Sequence, residues 1–277
     1  MRIGRIPYIN CFPVYGAVDR KIVSLDGDLV DGVPSALNGA MAAGTLDVSV
    51  ISAVEYARDA ARYLLLPDLA ISCDGPVRSV MLFSRRPAES LRGGRVLVSR
   101  SSMTSVALLQ LVFEQVWRCS PAFVPADAEV ADLGRMVEPH DARLIIGDAA
   151  LMLTSGTSAL AADYPYVYDL GAVWKEWTGL PFVFAVWVAQ RTTPVAEALA
   201  VHAQLIQSRN WGLSHLELLS TQAALAIGVP RPAALEYLSG LDYGLRYEHL
   251  AGLTTFFGKL AASGRVPNGS LAFLPAA

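Results

Sequence analysis

Short apolar runs alternate with helical patterns along the first half of the chain. Short runs with the composition of β-strands predict strands at residues 2–8, 46–51, 63–66 and 79–84. Between them, residues 34–43 have the pattern of a helix, with Pro34 at its first position and Gly44 just past its end. Residues 52–58 predict a second, shorter helix. Strands that alternate with helices are typical of βαβ units, so this half predicts an α/β fold.

A second α/β unit is predicted to begin near residues 85–87. A strand at 95–98 is followed by Ser102 and a helix with apolar residues at spacings of three and four. Further strands are predicted at residues 121–124, 144–146, 166–169 and 182–188. After Thr193 helices dominate, at residues 194–207, 213–226, 232–238 and 249–263. No flexible linker separates the units, which predicts two closely connected lobes, and ligands often bind at such interfaces.

Composition narrows the class of protein. The 277 residues fit about two domains. With 22 basic and 25 acidic side chains, the net charge is −3, whereas a nucleic-acid-binding protein usually has a clear basic excess. The most apolar run, residues 180–189, has ten residues, and a membrane-spanning helix needs about 20. The N-terminus has no secretory signal pattern. We therefore expect a cytoplasmic protein that binds neither nucleic acid nor membrane.

Motifs for cofactors are not found. Residues 252–259 resemble a phosphate loop, but five residues separate the glycines and Leu260 replaces the Ser or Thr that would hold magnesium. These mismatches favour an amphipathic helix. No two of the four histidines have metal-ligand spacing, and the three cysteines are scattered without a CxxC motif. We expect activity without metal, nucleotide or flavin.

Four polar segments follow predicted strands, where open α/β sheets bind ligands. Their candidate residues are Tyr8 and Asn10, Ser52, Arg78 and Ser79, and the group Ser102, Thr104 and Ser105. The last group begins a helix, whose N-terminal N–H groups favour a bound carboxylate or phosphate. Each segment also has a structural interpretation: Ser102 as a helix N-cap, Asn10 as a turn residue and Arg78 as a surface charge.

Several ordered segments resemble one enzyme family. They are PYIN (7–10), VPSALN (33–38), DVSVISAVEYA (47–57), LLLPDLAISCDGPVRSVMLFS (64–84), SRSSMTSVALL (99–109), IIGDAAL (145–151) and YDLGAVWKEWTGLPFVFAVWV (168–188). Together they are similar to the chorismate dehydratases of the futalosine route to menaquinone. The resemblance covers residues 3 to about 190 and is weak beyond.

The resemblance implies an α/β, two-lobed, periplasmic-binding-protein type II-like fold with a ligand cleft between the lobes and a helical C-terminal third. Lobe one would contain residues 1–85 and 171–277, and lobe two residues 86–170. A hinge would lie at the crossings near residues 84–87 and 169–174. The fold alone also fits a non-catalytic cytoplasmic solute-binding or effector-sensing protein, because fold does not fix function. The sequence does not give the oligomeric state.

The resemblance also implies a reaction, the loss of water from the dianion chorismate to give 3-[(1-carboxyvinyl)oxy]benzoate. Asn10 and Ser79 match the family's key polar residues and would bind the ring carboxylate or the leaving hydroxyl. Ser102, Thr104 and Ser105 would bind the other carboxylate. The matching segments contain no histidine, which fits a mechanism in which the substrate's enolpyruvyl carboxylate takes the proton. Asp148 either binds the substrate hydroxyl or caps a helix starting at Ala149.

Overall fold

Ten strands and ten helices make up the part of the chain that the structure, a computed structural model, describes: residues 1–127, 139–156, 162–267 and 270–275. The strands are β1 (Arg2–Arg5), β2 (Asp28–Asp31), β3 (Val48–Ser52), β4 (Tyr63–Cys73), β5 (Val80–Ser84), β6 (Arg95–Ser99), β7 (Ala122–Ala126), β8 (Ala142–Ile146), β9 (Tyr166–Asp169) and β10 (Phe182–Gln190). The helices are α1 (Phe12–Asp19), α2 (Pro34–Ala42), α3 (Ala53–Arg58), α4 (Met103–Gln115), α5 (Gly147–Thr154), α6 (Leu170–Thr178), α7 (Val195–Ser214), α8 (Leu216–Ile227), α9 (Arg231–Gly240) and α10 (Tyr247–Ala262).

The strands form two five-stranded sheets. The first has the order β2-β1-β3-β10-β4 and the second β7-β6-β8-β5-β9. In the first sheet β1 is parallel to β2 and β3, while β10 runs antiparallel between β3 and β4. In the second, β6 is parallel to β7 and β8, and β5 is antiparallel to β8 and β9. The alternation of strands and helices therefore predicted the α/β class correctly.

The chain passes between the sheets twice. It leaves the first sheet after Cys73, enters the second at Val80, and returns through α6 between Asp169 and Phe182. The first crossing thus lies at residues 74–79, before the expected 84–87, because β5 pairs with β8 and β9. The lobe division at residue 85 stays a prediction, and sheet membership places β5 with the second sheet. Residues 128–138 and 157–161 of the predicted lobe two lie outside the described residues.

Asp169 joins the two crossings. Its Oδ1 accepts hydrogen bonds from the N–H groups of Gly171 and Ala172 at 2.9 and 3.1 Å, which caps α6. The same carboxylate accepts from the N–H groups of Val77 and Arg78 at 3.0 and 2.7 Å. One side chain therefore holds both segments that connect the sheets.

The core is centred on β10, all of whose residues are buried. Trp187 on this strand donates from its Nε1 to the Tyr15 hydroxyl at 3.0 Å, which satisfies both buried polar groups. Phe182 contacts Trp174 and Phe256 edge to face. These contacts bury α1, α6 and α10 against the same strand. No helix in the described residues is both long and apolar enough to cross a membrane.

Candidate functional site

The segment before α1 and the N-termini of α3, α4 and α5 border a cleft between the sheets. The chain runs from β1 through residues 6–11 into α1, from β3 into α3, from β6 into α4 and from β8 into α5. Each connection leaves the carboxyl end of a strand, where open α/β sheets bind ligands. The N–H groups in the first turn of a helix have no partner within the helix and favour an anion. The cleft is therefore suited to an anionic ligand.

Seven of the nine candidate residues line this cleft. They are Tyr8, Asn10, Ser52, Ser79, Ser102, Thr104 and Ser105. Its remaining walls are mainly apolar and include Ile71, Val77 and Phe184. The empty space between these walls, including the part open to solvent, is about 560 Å³. Among the described residues that line it, none is Lys, Arg, His, Asp or Glu.

The start of α4 supplies three hydroxyls. Ser102 is the N-cap, and its Oγ accepts from the N–H of Ser105 at 3.2 Å while donating to the Ser105 Oγ at 2.9 Å. The Thr104 Oγ1 accepts from the N–H of Val54, the second residue of α3, at 3.2 Å. Ser102 is thus a helix cap and a cleft residue at once, so the two interpretations of this segment are compatible.

Ser52 is held by a residue that the sequence did not single out. Asn38 on α2 donates from its Nδ2 to the Ser52 Oγ at 3.0 Å and accepts from the Ser52 N–H at the same distance. Both residues are buried. Asn38 lies within the matched segment VPSALN, but only the fold shows that it faces Ser52, across 14 positions of chain.

The segment before α1 packs against the start of α5. Gly147 has φ +61°, and a Cβ there would lie 3.0 Å from the Tyr8 ring. Glycine therefore allows both this backbone conformation and the close approach of Tyr8. Nearby, the Oδ1 of Asn10 is buried and has no hydrogen-bond partner among the described residues. A buried polar atom of this kind is uncommon and is expected to pair with a ligand.

Ser79 is at the end of the first crossing and contacts a helix from the C-terminal third. The Tyr237 hydroxyl, on α9, donates to the Ser79 Oγ at 2.9 Å. Burial raises the pKa of the Tyr237 phenol strongly, and the negative charge of Asp148 adds to the increase. Tyr237 lies beyond the resemblance, and no motif in the sequence indicates its role.

Two candidate residues are not in the lining. The Arg78 side chain forms an ion pair with Glu236 on α9, with 2.5 Å between Nη2 and Oε1. Asp148 is buried in the first turn of α5, and its Oδ1 accepts from the N–H of Ile9 at 3.2 Å. The N-cap of α5 is Ile146, so the expected cap by Asp148 is not formed. Asp148 instead joins the second sheet's side of the cleft to the segment before α1.

All four histidines bind groups away from the cleft. His140 contacts the Tyr164 hydroxyl, His202 the Pro67 carbonyl and His215 the Trp211 carbonyl. The fourth, His249, contacts Asp242, and its Nε2 lies 3.2 Å from the carboxylate. None of the four is among the described residues that line the cleft.

Known proteins resemble the chain over nearly all of its length. The family described as menaquinone biosynthesis matches residues 1–262. The chorismate dehydratase of Thermus thermophilus is 29% identical over 90% of this chain and 94% of its own. The chorismate dehydratase of Campylobacter jejuni is 29% identical over 67% of this chain and 66% of its own.

Solved structures show the fold. Protein AF1704 from Archaeoglobus fulgidus superposes with a TM-score of 0.71 at 20% identity, covering 96% of this chain and 98% of its own. The periplasmic aliphatic sulphonate binding protein SsuA of Escherichia coli has a TM-score of 0.64 at 15% identity, covering 97% and 94%. The expected periplasmic-binding-protein-like fold is therefore confirmed.

Proposed function

The chain belongs to the menaquinone biosynthesis family, and we propose that it is a chorismate dehydratase, a carbon–oxygen lyase. It removes one ring hydrogen and the ring hydroxyl of chorismate as water and releases 3-[(1-carboxyvinyl)oxy]benzoate. The curated relatives named chorismate dehydratase support this substrate and reaction. The reaction belongs to the futalosine route to menaquinone, and we propose that it takes place in the cytoplasm, as expected from the sequence.

The observation that carries the proposal is the chemistry of the cleft. Its described polar side chains are neutral, and apart from Ser79, which precedes β5, they lie at or just before the start of a helix. Such groups bind carboxylates without lysine or arginine, because the N–H groups and the helix dipole both favour negative charge. Chorismate carries two carboxylates. The start of α4, with Ser102, Thr104 and Ser105, binds one of them.

Asn10 and Ser79 act at the reacting part of the ring. Ser79 donates a hydrogen bond to the ring carboxylate or to the leaving hydroxyl, where negative charge grows during the reaction. A donor aligned with such charge stabilises the transition state more than the ground state. Asn10 accepts from the substrate hydroxyl through its unpaired Oδ1, and its Nδ2 donates to the ring carboxylate or to the leaving hydroxyl.

The proton goes to the substrate itself. The described lining holds no basic side chain, so the enolpyruvyl carboxylate removes the ring proton when the cleft folds it over the ring. Holding the two parts of one molecule in a reactive geometry lowers the barrier by several kcal/mol. Loss of hydroxide then makes the ring aromatic, and the proton and hydroxide leave as one water.

The test is direct. The purified protein is mixed with chorismate, and conversion is followed by ultraviolet absorbance and by mass spectrometry for the loss of one water. We expect turnover that survives exhaustive chelation and dialysis, because the described residues contain no cluster of three metal-ligating side chains. An incubation without protein measures spontaneous decay. Tight binding of chorismate without conversion would instead favour a non-catalytic binding protein of the same fold.

A further inference from the structure

We propose that Tyr237 is a positioning residue that makes the Ser79 hydroxyl a hydrogen-bond donor toward the ligand. This inference rests on the proposed function and adds a residue outside the segments that resemble the family. It depends on one buried hydrogen bond, the one between the Tyr237 and Ser79 hydroxyls at 2.9 Å.

α9 holds the end of the first crossing through two consecutive pairs. Glu236 pairs with Arg78, and Tyr237 pairs with Ser79. The backbone of the same crossing is held from the other side by Asp169, which accepts from the N–H of Arg78. The position of the Ser79 side chain at the cleft is therefore fixed from two directions.

The direction of the hydrogen bond follows from the need of the buried Tyr237 O–H for an acceptor. Tyr237 is 1% exposed, and Ser79 is its hydrogen-bond partner within the described residues. If Tyr237 accepted from Ser79 instead, its own O–H would be buried without an acceptor, which costs about 1–3 kcal/mol. Burial raises the pKa of Tyr237 far above neutrality, so the phenol keeps its proton and remains a donor.

A serine hydroxyl has one hydrogen and two lone pairs. Because Tyr237 occupies a lone pair of the Ser79 Oγ, the serine hydrogen remains available for another acceptor. Ser79 lines the cleft, and within the described ranges of the chain its hydroxyl has no other protein partner. The hydrogen is therefore directed at the ligand. Tyr237 acts through Ser79 and does not line the cleft.

The experiment compares Tyr237→Phe with the wild type in steady-state kinetics on chorismate. The substitution removes one oxygen and keeps the ring. We expect kcat to fall about tenfold with KM nearly unchanged, because the oriented donor acts mainly on charge that develops in the transition state. Replacement of Tyr237 by 4-aminophenylalanine, which keeps a donor at the same place, should restore most of the lost kcat.

Two comparisons separate positioning from a general loss of structure. In a Ser79→Ala background, Tyr237→Phe should have no further effect on kcat, because the group it orients is already gone. Tyr243→Phe is the matched control: Tyr243 is also 1% exposed, and its hydroxyl has no partner in the described part of the chain. Its kcat should equal that of the wild type. Thermal unfolding by circular dichroism verifies that each variant folds.

The outcomes distinguish this inference from the proposed function. Wild-type protein without turnover of chorismate refutes the proposed function and the inference with it. Turnover by the wild type with an unchanged kcat in Tyr237→Phe refutes the inference alone. It is also refuted if Tyr237→Phe lowers kcat by the same factor in the wild type and in the Ser79→Ala background. A folded protein with 4-aminophenylalanine at position 237 that does not regain kcat refutes it as well.

Discussion

Asn10 carries an unusual amide group. Its Oδ1 is buried at the cleft without a partner among the described residues, although burial of an unpaired polar atom costs about 1–3 kcal/mol. Such a cost is typical of functional sites, where the missing partner belongs to the ligand. In our account, the substrate supplies that partner, so the amide is oriented before the substrate arrives.

The Asn10 and Ser79 side chains should therefore matter for turnover and little for folding. We expect Asn10→Ala and Ser79→Ala each to lower kcat at least about tenfold, because an aligned group at developing charge contributes a few kcal/mol. Asn10→Ala should not lower the melting temperature, since it removes an unpaired atom.

Ser208→Ala is the control for the serine variant. Its Oγ is also buried without a partner among the described residues, and it does not line the cleft. We expect wild-type kcat. Near-wild-type turnover in both Asn10→Ala and Ser79→Ala would place the reaction elsewhere.

Single residues also show what a sequence does not reveal. Arg78 and Ser79 are neighbours in one matched segment, and both were candidates for ligand binding. Only Ser79 lines the cleft, because φ +62° at Arg78 and the ion pair with Glu236 turn the arginine away. The direction of a side chain depends on contacts with α9, more than 150 positions later, and local pattern does not contain them.

The helices that begin near the cleft each follow the end of a strand. Strand ends at β1, β3, β6 and β8 lead into helix N-termini, and the polar candidates other than Arg78 and Ser79 lie at these connections or in the first turns of the helices. Short-range signals predicted most of this: Pro34 does begin α2, and Ser102 does cap α4. They did not predict β2 or α1, whose sequences lack a clear apolar period. Those elements are stabilised by packing, as between α1 and α7.

The Asp169 carboxylate connects the start of α6 to the first crossing. Its carboxylate accepts four backbone N–H groups, two at the start of α6 and two in the first crossing. In Asp169→Asn the negative charge is lost, and an NH₂ group replaces one acceptor. We expect the free energy of unfolding in urea to fall by about 1.5–3 kcal/mol, the range for hydrogen bonds to charged groups.

Asp74→Asn is the matched control, in the same crossing. Asp74 pairs with Lys175 at 2.5 Å, and its side chain is 58% exposed. Exposed ion pairs contribute about 0–1 kcal/mol, so this variant should unfold nearly as the wild type does. Equal stability of Asp169→Asn and the wild type would show that the carboxylate does not hold the crossings together.

The molecule as a whole is held closed over its cleft. The N–H of Ile9 donates to Asp148, and the N–H of Val54 donates to Thr104. Each of these bonds joins a segment following a strand of the first sheet to a helix of the second. We predict that substrate entry requires these bonds to open, with rotation about the crossings at residues 74–79 and 169–182. Closure then excludes water from the reacting groups.

For the fold of the whole molecule, the family resemblance predicted more than the pattern of apolar and polar residues did. The pattern indicated two α/β units, and the resemblance implied the two-lobed fold that the solved structures confirm. Neither predicted that β5 pairs with β8 and β9. This pairing depends on contacts between residues 58 to 88 positions apart in the chain, and each strand alone is simply apolar.

We propose that the protein positions the substrate and that the substrate's own enolpyruvyl carboxylate takes the proton. The most direct measurement is the rate of dehydration of a chorismate analogue with this carboxylate esterified, beside chorismate itself. If the enolpyruvyl carboxylate is the base, the ester is not dehydrated above the rate without protein, while chorismate is converted. Efficient dehydration of the ester would contradict it and place the base on the protein.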